Sequence, residues 1–188
     1  MKTAGIWLTG IALLSLAGVA LVVTHAQAAE KDKLKKIVDL VKKGDMDGAK
    51  KAAADYAKGN KDVGELMEAF KKGKNGGVMS IGPAGKGIED NYRDVGRDVP
   101  TAANVAKLAK DHEEAGYYTA AIALVTANLP QKGTAKASAK DWVKWSEELT
   151  EQGKKFADAA KAKSGADLKA AASKINNTCS ACHIPFRQ

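Results

Sequence analysis

Residues 164–188 read SGADLKAAASKINNTCSACHIPFRQ. Apolar side chains recur at Leu168, Ala172, Ile175, Cys179, Cys182 and Phe186, at steps of four, three, four, three and four. That rhythm keeps one face of an α-helix apolar; a strand would change face at every residue. Ser164 and Asp167 resemble a capping box and place the start of this helix. A helix with one apolar face must bury it against other elements, so the reading of this stretch depends on what precedes it.

Two more long helices precede it. Ser138 or Asp141 opens one in which Trp142, Trp145, Leu149, Gln152 and Phe156 repeat at three and four, with Gly153 expected to weaken it slightly. Pro100-Thr101 opens the other, with Thr101 as cap. Val105, Leu108, His112, Ala115, Ile122, Val125 and Leu129 trace its stripe, and Pro130 closes it. The connections at 130–138 and 163–165 are short. Nearer the N-terminus the helices shorten to 30–43, 49–58 and 62–72. The glycine-rich residues 73–87 predict a loop, and 88–98 is expected to belong to the same excursion. The fold expected is all-α: an antiparallel four-helix bundle with an irregular, broken N-terminal helical region.

Composition agrees. A chain of 188 residues suits one domain. Apolar residues reach 45% but aromatics only 5%, so the core must come from Ala, Leu, Val and Ile. Two cysteines exclude a disulfide-dense scaffold. The net charge of +8 points to an acidic partner without choosing its class. Met1-Lys2, an apolar run over 6–23 and Ala26-Gln27-Ala28 together have the plan of a secretory signal peptide, residues 1–28, cut after Ala28. An uncleaved anchor helix is the alternative reading. Cleavage removes Lys2 and no acid, lowering +8 to about +7. The domain is then 29–188. It has no second apolar run of spanning length and is expected to be soluble outside the cytoplasm, in the periplasm of a Gram-negative-type bacterium.

Cys179-Ser180-Ala181-Cys182-His183 has the form of the attachment motif for c-type haem. Residues i and i+3 of a helix share a face, so both thiols can reach the two vinyl groups of one porphyrin. His183, one turn from Cys179, can place its imidazole on the iron. A disulfide-exchange motif needs a strand-turn-helix setting that the text lacks. A zinc site needs two further ligands, and no other cysteine exists. One covalently attached haem c is therefore expected. No acid–base pair or second metal site is readable, so enzymatic turnover is not.

The run Cys179-Ser180-Ala181-Cys182-His183-Ile184-Pro185-Phe186-Arg187, behind the alanine-rich 168–175 and a Trp-bearing helix, resembles the class II cytochromes c, the cytochrome c-prime group. The similarity is good from about Asp141 onward, extends to Thr101, and is poor before Gly87, where the group has one long helix. The resemblance implies His183 as proximal ligand and the two cysteines as covalent anchors. It also implies Arg187 beside the haem on the proximal side, and a homodimer. The sixth position is either open, or filled by Met67, Met79, His112 or, last, Met46 in a turn between helices; Met67 is the first of these because it sits on the apolar side of a short helix. A filled site suits one-electron transfer, the function expected. An open one suits binding of nitric oxide or carbon monoxide. A third reading makes the haem mainly a folding nucleus of a structural bundle. The lysines of 31–74 and 132–174 are solvated helix faces or a ring that steers an acidic redox partner. Nucleic acid is not expected as a partner, because the basic residues lack an aromatic platform.

Overall fold

A computed structural model describes residues 32–59, 62–73, 77–129 and 131–186. The expected signal peptide and Arg187 lie outside these. Two compact units divide the chain, Met1–Lys33 and Leu34–Gln188, and the helical body is the second. Seven helices and no strand occur among the described residues, apart from an isolated bridge between Ile81 and Lys86. They are α1 (32–42), α2 (Met46–Gly59), α3 (Val63–Glu68), α4 (Ile88–Arg97), α5 (Ala102–Ala127), α6 (Ala139–Lys161) and α7 (Gly165–Phe186).

The three long helices start where their caps lie. Thr101 Oγ1 accepts from the Asn104 amide at 3.3 Å. Ser138 Oγ accepts from the Asp141 amide while the Asp141 carboxylate accepts from Ser138 N, a reciprocal box. Before α7, Ser164 Oγ donates to the Asp167 carboxylate at 2.7 Å. α5 and α6 form the tightest pair. Trp142 Nε1 donates to Thr126 O at 2.9 Å, Gly153 lies against Gly116 and Ala120, and Lys161 Nζ donates to the Tyr117 hydroxyl. Gly153, expected only to weaken its helix, is therefore a crossing point. A Cβ there would stand 2.8 Å from Ala120 N and from Gly116 O, and α6 needs the glycine to come that close.

Residues 88–97 correct the expectation of a continued loop. They form α4, with Ile88, Tyr92 and Val95 buried. Five charged residues among its ten hide this three-residue stripe. Arg93 pairs with Glu89 at 2.9 Å and Asp90 at 3.3 Å on the outer face. α4 lies along α7: Ser173 Oγ donates to Gly96 O at 3.1 Å and Asn176 Nδ2 to Tyr92 O at 2.9 Å. The helix expected over 62–72 is shorter and ends at Glu68. The stretch 77–87 is irregular as expected, turning through Gly82 and Gly85, both at positive φ, between the bridged Ile81 and Lys86. The core joins Leu34, Ile37, Val38 and Val41 of α1 and Ala49, Ala53 and Ala57 of α2 to the long helices. Lys42, beside Val41, shares Glu113 of α5 with Lys161, each at 3.7 Å.

Candidate functional site

The last two turns of α7 carry the candidate chemistry. Successive helical residues are rotated by about 100°, so Cys182 lies about 60° and His183 about 40° from Cys179 around the axis. Cys179 and Cys182 are free thiols, both half-buried, and Cys179 packs against the hydrophobic core. Above them on the same face Leu168, Ala172 and Ile175 are fully buried. The stripe thus runs from core to surface, and the thiols sit at the boundary. His183 is exposed.

Burial pushes the Cys179 thiol up to about 12, with Cys182 and Glu89 adding to the shift. Burial likewise raises Cys182 to about 11. Glu89 and Tyr92 of α4 are the groups across from Cys179 that its charge would feel. The site is therefore framed by α4 and α7, and α4 is an element the sequence reading missed.

This donor set fits a haem c. Two thiols not joined as a disulfide share one helical face at the edge of an apolar interior, and an imidazole follows the second directly. A covalently held haem c uses such a set: an apolar wall for the ring, thiols for the vinyl groups and an imidazole for the iron. Among the described residues no group of three or more His, Cys, Asp and Glu is arranged to hold a metal ion by itself.

The sixth-ligand candidates are scattered. Met67 is half-buried on α3 and packs against the core, and Met79 does the same from the 77–87 segment. His112 is 2% exposed on α5, with its ring edge-on to Phe156. The Asn91 amide nitrogen lies 3.2 Å from His112 Nδ1. An amide nitrogen only donates, so Nδ1 accepts and the ring proton sits on Nε2. Neither nitrogen then offers a lone pair to a metal. Burial also holds this imidazole below its ordinary value. His112 is a hydrogen-bonded core residue in this arrangement.

The aromatic residues divide. Phe156 packs edge-on against Tyr92 at 4.7 Å, deep between α4 and α5. Trp142 and the half-buried Trp145 instead meet Phe186, one turn beyond His183, at 5.1 and 6.2 Å. The three aromatics of the α6 stripe thus serve two different ends of the body. Sequence reading also missed the buried polar knot at α4. Tyr92 donates to Ala115 O at 2.9 Å and lies 2.6 Å from Thr119 Oγ1. Its only signal in the text is an Asn-Tyr pair inside a charged decapeptide.

No protein-family model, curated protein or solved structure matches this chain. Among the described residues no helix is long and apolar enough to cross a membrane.

Proposed function

We propose that the chain is an exported mono-haem c-type cytochrome that carries single electrons in the periplasm. The observation behind this is the placing of Cys179, Cys182 and His183 within one turn of α7, with the thiols at the margin of the core. Cys179 and Cys182 would hold the haem through thioether bonds, each formed by adding its S–H across one vinyl C=C, with no net redox change. His183 offers its imidazole from the solvent side. A haem bound there supplies a one-electron iron couple, and the chain supplies the axial ligand, the burial and the partner surface. In this reading α4, α5, α6 and α7 are the walls of an antiparallel four-helix bundle like that of the cytochrome c-prime group. The reversed pairing of α5 with α6 and of α4 with α7 supports it. This reading takes α4 as the fourth wall, where the sequence pointed to the broken N-terminal region, whose α1 and α2 also share the core. The resemblance would give Arg187 a place near the haem, Met67 is the first candidate for the sixth position, and surface lysines would steer an acidic redox partner. A homodimer follows from the same resemblance.

The test is the full chain produced in cells able to mature c-type cytochromes. One haem that survives denaturation, with a low-spin spectrum unmoved by carbon monoxide, is the expected result. A high-spin spectrum that shifts with the gas replaces electron transfer by gas binding. A chain without covalent haem overturns the proposal.

A further inference from the structure

The geometry points to Phe186 as a positioning residue for the His183 imidazole, held in place by Trp142; this rests on the haem reading above. Pro185 lies inside α7. It has no N–H, so the carbonyl of Ala181 loses its intrahelical donor, and the turn that bears His183 is short of a rung. The side chains at the turn's outer face do not compensate: His183 is exposed and Ile184 is 71% exposed. Besides the half-buried Cys182, Phe186 ties this turn to the body. It lies seven residues after Cys179, four after Cys182 and three after His183, and so on the strip that carries all three. Its ring meets Trp142 at 5.1 Å and 76° and Trp145 at 6.2 Å and 80°, the edge-to-face geometry that aromatic pairs favour. Trp142 cannot swing away. It is buried, its indole nitrogen donates to Thr126 O on α5 at 2.9 Å, and it sits in the first turn of α6, directly behind the Ser138–Asp141 capping box. A line of contacts runs from α5 through Trp142 and Phe186 to the backbone that aims the imidazole. An axial ligand on a loosened turn samples several ring orientations, and the iron couple registers that.

The experiment uses the full chain, loaded and unloaded, as wild type, Phe186→Ala, Phe186→Leu and Phe186→Tyr. Amide hydrogen exchange over 180–184 is followed in the unloaded protein, and the midpoint potential and the electron paramagnetic resonance of the axial field in the loaded one. Phe186→Ala is expected to speed exchange at 182–184 at least tenfold, shift the potential and broaden the resonance. Phe186→Leu, which keeps apolar volume and so guards against simple misfolding, shows the same changes in smaller measure, and Phe186→Tyr restores wild-type behaviour. Unchanged exchange in Phe186→Ala overturns the inference, and so does faster exchange with the potential and resonance unmoved. Wild type without haem would defeat the cytochrome reading by itself. The exchange rates would still decide for or against Phe186 as the anchor of the turn.

Discussion

Replacing Gly116 by alanine tests the crossing of α5 and α6. The added Cβ would stand 2.5 Å from Gly153 O, 2.7 Å from Ala157 N and 2.9 Å from the Ala157 Cβ. Ordinary contact begins at 3.4 Å, so the shortfall reaches about 0.9 Å. None of the three atoms is the free end of a long side chain, so relief requires the two helices to part. Overpacking of this kind costs about 1–3 kcal/mol, and rigid backbone neighbours place it near the top. Alanine recovers about 1 kcal/mol of helix propensity. The net expectation is a loss of about 2 kcal/mol, or about 4–8 °C in Tm at this chain length. Gly59→Ala is the control, because nothing lies within 4 Å of a Cβ there; it should be neutral or slightly stabilising. Thermal and urea unfolding followed by circular dichroism, in the same loading state, measures both. If Gly116→Ala equals or exceeds wild type while Gly59→Ala behaves as stated, the close-crossing argument is wrong.

On the proposed haem reading, Cys179→Ser combined with Cys182→Ser should release all haem on denaturation, whereas each single variant keeps one thioether; mass spectrometry of the unfolded chain reads this directly. Tyr92→Phe removes a buried hydroxyl bound to Ala115 O and Thr119, and should cost about 1–3 kcal/mol in urea unfolding. His112 is held below its ordinary value of 6.5 by burial. The unfolded chain therefore takes up that proton first. The stability this group contributes is complete above about pH 6.5 and declines as the pH falls toward the lowered folded value. The stability difference between wild type and His112→Gln should be flat above neutrality and shrink on acidification. A difference that does not vary with pH would remove His112 from the account.

The long helices were legible because their stripes run for about four turns or more and their caps are explicit, as at Thr101, Ser138 and Ser164. The thiol pair and His183 were legible because their spacing is local. α4 was not: its apolar stripe is only Ile88, Tyr92 and Val95, and its pairing with α7 joins residues some eighty positions apart. The division of the aromatics was equally hidden. Trp142 and Phe156 share one sequence rhythm, yet fourteen residues of helix carry them about 21 Å apart along the axis, so they meet different neighbours. Gly116 and Gly153 show the same limit. Each looks like a weak helix position until the other is placed against it.

The raised thiols set a timetable for this molecule. With Cys179 near 12 and Cys182 near 11, about one sulfur in ten thousand or fewer is ionised at neutral pH once α7 has docked. Thiolate is the form that attacks, so the finished body is slow to be oxidised, alkylated or crosslinked at this pair. Thiolate chemistry at these sulfurs is then favoured before α7 docks, when burial no longer raises them. If a haem is attached here as proposed, attachment before the last helix is seated meets the more reactive pair.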